Sequence, residues 1–152
     1  MNDLIRVQVE DFNPGQYQEW LREGGVEAGA IVTFTGLVRD QLQGALEGLY
    51  LEHYPGMTER ALADIVRQAR RRWPLGRVLV CHRIGWLQPG DNIVFVGVAS
   101  AHRAEAFEAA AFLMDYLKRD APFWKKERIR GDEQWVEQKD TDLQAAKRWL
   151  TD

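Results

Sequence analysis

A single cysteine, Cys81, stands in the 152 residues, so no disulfide can form within the chain and no metal cage can be built from thiolates. No apolar run approaches the roughly 20 residues needed to span a bilayer. The opening residues Met1-Asn2-Asp3-Leu4-Ile5-Arg6 have no basic stretch followed by an apolar segment, which leaves a soluble protein with a cytoplasmic home as the expectation. A dominant charge of one sign is also lacking. The formal net charge is −3, too small to gather nucleic acid, so any anion site must come from local clustering. Common enzyme signatures are missing as well: there is no phosphate loop with its lysine, no dinucleotide fingerprint, no nucleophile elbow and no paired-histidine zinc motif. Without repeats, low-complexity tracts or a linker, residues 1–152 read as one domain large enough for its own core.

What is present is an alternation of strand-like and helix-like stretches. Residues 4–9 alternate as a strand, 17–23 have the length of a short helix ended by Gly24-Gly25, and 30–38 are β-branched and aromatic. A polar loop at 40–44 leads to 49–54, expected to be the partner strand of 30–38 and stopped by Pro55-Gly56. From Thr58 the spacing turns helical, with Leu62, Ile65, Val66, Ala69 and Trp73 on one face and Pro74 and Gly76 closing the segment. Arg70-Arg71-Arg72 near its end suits the negative end of a helix dipole and so has a structural reading. Two further strands, 77–84 and 92–100, are joined by a turn-rich stretch and expected to pair antiparallel. A second long helix covers 103–118 before Ala121-Pro122, a hairpin is expected across 123–137, and a short helix closes the chain from Asp140 to Leu150. This order favours an α+β domain with a mainly antiparallel sheet over a wound βαβ sheet.

Cations gather at the ends of these elements: Arg39 after a strand, His102 and Arg103 at a helix start, Lys118 at that helix's end, and Lys125 beyond the proline. The helix start is the most informative of these. Its unpaired N–H groups and positive dipole end form an anion cradle, while the dipole itself disfavours cations there, so His102 and Arg103 need a reason to be present. Lys118 is favourably placed at a C-terminus in any case. His82 shares a strand face with Val78, Val80 and Ile84 and reads as a core or interface histidine, and Cys81 as a small buried residue on the opposite face.

Several stretches together resemble the large, catalytic subunit of molybdopterin synthase. They are Val32-Thr33-Phe34-Thr35-Gly36 running to Val38-Arg39, Leu51-Glu52-His53-Tyr54-Pro55-Gly56-Met57, Arg72-Trp73-Pro74-Leu75-Gly76, and His82-Arg83-Ile84-Gly85 leading to Pro89-Gly90-Asp91. Ser100-Ala101-His102-Arg103 and Asp115-Tyr116-Leu117-Lys118 leading to Ala121-Pro122-Phe123-Trp124-Lys125 complete the set. The resemblance implies an α/β hammerhead fold that forms a homodimer within a heterotetramer, one small ubiquitin-like sulfur carrier at each end. The carrier's C-terminal Gly-Gly thiocarboxylate would deliver sulfur to cyclic pyranopterin monophosphate, with no cofactor, metal or persulfide cysteine on this chain. By the same resemblance Arg39, His102 and Arg103 would cradle the pterin phosphate, Lys118 and Lys125 would be catalytic, and Leu37 and Val38 would line the pocket. Lys126 and Glu127 follow as substrate contacts. The loop 40–45 matches the family pattern least.

At 1.5 Å per residue, His102-Arg103 and Lys118 lie about 22 to 24 Å apart along one helix. Each site is therefore expected to be shared, with Arg39, Lys118 and Lys125 from one subunit and His102 and Arg103 from its mate. Two rival readings remain at this level. One is a nucleotide- or RNA-binding module that uses Phe123, Trp124 and the adjacent lysines as a stacking platform. The other is a non-catalytic dimeric scaffold, which gives no reason for all five cations to be kept.

Overall fold

The computed structural model describes residues 2–40, 43–137 and 140–150. The elements run β1 (Asp3–Gln8), α1 (Pro14–Arg22), β2 (Ala30–Leu37), β3 (Leu46–His53), α2 (Met57–Arg72), β4 (Leu75–Arg83), β5 (Gly85–Leu87), β6 (Asn92–Ser100), α3 (Arg103–Asp120), β7 (Phe123–Ile129), β8 (Asp132–Val136) and α4 (Asp140–Lys147). Gln41 and Leu42, within the polar loop noted above, lie outside the described residues.

The strands divide into two four-stranded sheets, ordered β1-β4-β6-β2 and β5-β3-β7-β8. All neighbours are antiparallel except β1 and β4, so the α+β expectation of a mainly antiparallel fold holds. Alternation along β4 and β6 decides what covers the first sheet. Val78, Val80, Val96 and Val98 share a core with Leu62, Ile65 and Val66 of α2 and Phe112 and Leu113 of α3. Leu79, Cys81 and Phe95 turn the other way, onto Leu21 of α1. Both faces are thus covered, and near-continuous apolar runs replace an in-out pattern in these strands. Gly97 permits the approach of α1: a Cβ there would stand 2.4 Å from Leu21 Cδ1.

Two pairings differ from the sequence expectation. β3 does not pair with β2; it lies in the second sheet between β5 and β7, with Leu49 opposite Leu87 and Glu127. β2 instead takes β6 as its neighbour, Val32 facing Val98. Nearness in sequence favours hairpins, but here β2 and β3 fall in different sheets, a choice that local propensity does not encode. β4 and β6 do pair antiparallel, yet their connection is no simple hairpin, because β5 crosses within it to the second sheet. The β7–β8 hairpin forms as expected, turning at Arg130 and Gly131, both with positive φ.

The long helices are anchored through their ends. Arg70 reaches the Asp3 carboxylate and the carbonyls of Leu75 and Gly76, and Arg72 donates to the Trp149 carbonyl while lying 4.9 Å from the Phe112 ring centroid. These two arginines serve the structure, tying α2 to β1 and to the C-terminal segment. Trp149 also donates from Nε1 to Asp115 Oδ2 at 2.7 Å, which holds the segment after α4 against α3.

Candidate functional site

The site begins where α3 stops. Pro122 has no N–H to offer a helix, and the N–H of Ala121 closes the last turn on the Leu117 carbonyl at 3.1 Å. The chain then turns sharply into β7. Thr58, wholly buried at the start of α2, holds this corner by donating from Oγ1 to the Pro122 carbonyl at 3.1 Å and accepting from the Tyr54 N–H at 3.0 Å. Lys118 on the last turn of α3 and Lys125 on β7 are thereby brought to one cavity of about 280 Å³. This lies near the lower end of the range for small-molecule sites.

Its wall comes from both sheets. Leu49 and Leu51 of β3 lie in register with Glu127 and Lys125, so the apolar inner face of the second sheet backs the lysine on β7. His82, at the end of β4, and Ile93 of β6 contribute from the first sheet, and Asp142 of α4 from the C-terminal segment. His82 is 5% exposed and stacks on Phe123 with ring centroids 3.8 Å apart. Burial, above all, pushes its pKa down from 6.5 to about 3, with Lys118, Lys125 and His53 adding repulsion against a second proton. The imidazole is neutral, with Lys118 and Lys125 both acting against its protonation. Apolar walls with converging cations suit a small anionic reactant.

The other residues singled out in the sequence are distributed differently. Within one chain, the structure does not bring Arg39, His102 or Arg103 to the walls of this cavity. Arg39 is exposed beyond β2, where Val38 is pinned by its N–H to the Asp91 carbonyl and by its carbonyl to the Gly90 N–H. Val38 itself is buried with Leu46, Leu49 and Leu87, while Leu37 is exposed. His102 caps α3 with extended backbone and no side-chain cap bond, and both it and Arg103 are exposed beside the uncapped helix start. That start and Lys118 remain at opposite ends of one unbroken 18-residue helix. Glu127 follows on the same strand face as Lys125. Lys126 turns to the opposite face, 4.8 Å from the Trp135 ring centroid and 3.4 Å from Glu133 Oε1.

This alternation also bears on the stacking-platform reading. Phe123 points inward onto His82, whereas Trp124 meets Tyr54 on the outer face at 4.7 Å, so the two rings cannot form one platform. Sequence reasoning missed His82 and Thr58 as parts of this site. For His82 the strand alternation placed it on the core face, but nothing local said that this face opens onto a cavity. For Thr58 the only signal was a hydroxyl at a helix start. Among the described residues no group of three or more His, Cys, Asp or Glu could hold a metal ion, and no helix is long and apolar enough to cross a membrane.

Comparison with known proteins agrees along nearly the whole chain. A family model described as "MoaE protein" matches residues 7–120. The molybdopterin synthase catalytic subunit of Escherichia coli strain K12 is 60% identical over 146 residues, covering 95% of this chain and 97% of that protein. Among solved structures, the MoaE protein of Burkholderia ambifaria MC40-6 superposes with a TM-score of 0.86 at 44% identity, covering 99% of each chain. The molybdopterin synthase of Staphylococcus aureus does so with a TM-score of 0.80 at 34% identity, over 86% of this chain and 95% of that one. With its sequence matched from strand β1 to the end of α3 and its fold shared with these structures, this chain belongs to the MoaE family of molybdopterin synthase catalytic subunits.

Proposed function

We propose that this protein is the sulfurtransferase subunit of a molybdopterin synthase, working in the cytoplasm on the path to the molybdenum cofactor. It moves sulfur from the thiocarboxylated C-terminus of a small ubiquitin-like carrier subunit to cyclic pyranopterin monophosphate, forming the dithiolene of molybdopterin. The observation that carries this reading is the convergence of Lys118 and Lys125 on one apolar-walled cavity, in a chain of this family. A terminal thiocarboxylate is an anion with no side chain of its own, and a narrow cavity with two ammonium groups suits it. The lysines offer N–H donors to the entering tail and stabilise the charge that develops as its sulfur attacks the pterin. Sulfur arrives on the partner, which fits a chain whose one thiol, on Cys81, is buried away from this cavity and held protonated by that burial.

The phosphate end of the substrate needs its own cations. Arg39 at the end of β2 and the uncapped α3 start with His102 and Arg103 fit that role, supplying guanidinium groups and free backbone N–H donors. Because α3 holds Lys118 and Arg103 a helix length apart, a homodimer in which His102 and Arg103 come from the mate completes each site. Two such sites with one carrier each make the heterotetramer. Leu37 exposes its side chain near Arg39, and Val38 supports that strand end from the core. Glu127 continues the Lys125 face, whereas Lys126 lies on the opposite face, held by Glu133 and Trp135.

The test is a single-turnover assay with purified protein, thiocarboxylated carrier and cyclic pyranopterin monophosphate. Wild type is expected to form molybdopterin, and Lys118→Ala and Lys125→Ala to lose it. A folded wild type that binds the carrier yet forms no product would leave only a scaffold.

A further inference from the structure

His82 is not accounted for by the lysine chemistry. Its Nδ1 lies 2.8 Å from the carbonyl oxygen of Arg83, which can only accept, so Nδ1 carries the proton and Nε2 carries a lone pair. No described group donates to that lone pair. Yet Nε2 is not sealed in the core either: the one buried, unpartnered side-chain polar atom among the described residues is Nε of Arg77. Nε2 therefore opens onto the cavity that His82 lines with Lys118 and Lys125. The ring cannot swing away to satisfy itself, because it is held flat on Phe123 and tied through Nδ1. A rigid, aimed, acceptor-only nitrogen at the base of a ligand cavity is a recognition element.

We propose that His82 is a further substrate-binding residue of this site, its Nε2 lone pair accepting a hydrogen bond from an N–H donor of an incoming reactant. This rests on the sulfur-transfer reading above, in which two reactants carry such donors, the pterin ring and the glycine amides of the carrier tail. His82 does not act as a base. The groups that face it are Lys118 from α3, Lys125 from β7 and His53 from β3, and together with burial they keep the imidazole neutral throughout the working pH range. Among the described residues, the acids on the wall of the same cavity are Asp142 of α4, Glu137 after β8 and Asp120 at the end of α3. A closed cavity with a reactant lacking the N–H would leave Nε2 desolvated and unmatched, so the residue selects as well as binds.

Steady-state sulfur transfer is measured for wild type, His82→Phe and His82→Gln, varying the pterin at saturating carrier and then the carrier at saturating pterin. Phenylalanine keeps a ring against Phe123 without either nitrogen, and glutamine restores an acceptor. His82→Phe is expected to raise the KM of one reactant about tenfold, with the effect carried by KM rather than kcat, and His82→Gln to recover most of it. The reactant whose KM moves identifies the source of the N–H. Unchanged KM for both reactants in a folded His82→Phe overturns the proposal, as does a kcat inflection near neutral pH that this variant abolishes. A second readout needs no turnover: in ¹⁵N spectra of the imidazoles, the Nε2 resonance of His82 should move when the pterin or the carrier is added to wild type. A resonance that stays put with both overturns the proposal even if the variants fail to fold. A moving resonance in a protein that makes no product would sink the sulfur-transfer reading and leave the acceptor role intact.

Discussion

Acid should destabilise this protein well before its carboxylates titrate, and His82 should be the cause. In the unfolded chain its imidazole has the ordinary pKa of 6.5, and in the folded protein burial and the neighbouring cations lower it to about 3. Between these values the unfolded state binds a proton that the folded state refuses, so stability is complete above pH 6.5 and falls as the pH falls towards 3. Each pH unit in this window is worth about 1.4 kcal/mol. At pH 5 the expected loss relative to pH 7.5 is about 2 kcal/mol, and because the folded value lies far below pH 5 this figure depends on the unfolded value alone. Urea unfolding of wild type and His82→Phe at both pH values measures it. The phenylalanine variant has its own stability at pH 7.5, but its loss on going to pH 5 should be smaller than wild type's by about 2 kcal/mol. In melting temperature this corresponds to roughly 4 to 8 °C for a chain of this size. Equal pH dependence in the two proteins would refute the reasoning, since it would mean that the folded imidazole accepts a proton as readily as the unfolded one.

Three more predictions follow from the site and its supports. Lys118→Ala and Lys125→Ala should each slow single-turnover sulfur transfer by about 100-fold or more, as expected for removal of a donor aimed at developing charge, without a matching loss of thermal stability. A mixture of Lys118→Ala and Arg103→Ala chains, each inactive alone, should regain activity through heterodimers that hold one intact site; proven heterodimers without any rescue would refute the shared site. Thr58→Val, nearly the same size but without the hydroxyl, should cost about 1 to 3 kcal/mol in denaturant unfolding, because the Tyr54 N–H and the Pro122 carbonyl, both part-buried, lose the buried hydroxyl that they share. It should also lower activity, since Thr58 fixes the corner between Lys118 and Lys125, and a fully active variant would show that the corner holds without it.

The sequence by itself determined the element types and the faces they bury. Leu62, Ile65, Val66 and Ala69 recur at helical spacing in α2 and are all buried, and the alternation of Val78 and Val80 against Leu79 and Cys81 separates the two faces of β4 as the structure has them. Periodicity is local and survives folding unchanged. The length of α3 was readable too, and with it the distance that keeps Arg103 from Lys118. The family was readable because motif residues keep their order along the chain.

Only the tertiary structure decided which strands meet. β3 has the composition of a partner for β2, yet it joins β5 and β7 in a second sheet, because pairing depends on which distant edge is open and not on propensity. That choice creates the cavity: Leu49 and Leu51 come to back Lys125, and the end of β4 comes to lie beneath them. His82 shows the consequence most clearly. Its position on the core face was legible from its neighbours, but its depressed pKa comes first from its burial and then from Lys118 and Lys125, which, like the Phe123 ring stacked on it, lie 36 or more positions away and are brought together only by the packing of two sheets against one helix end.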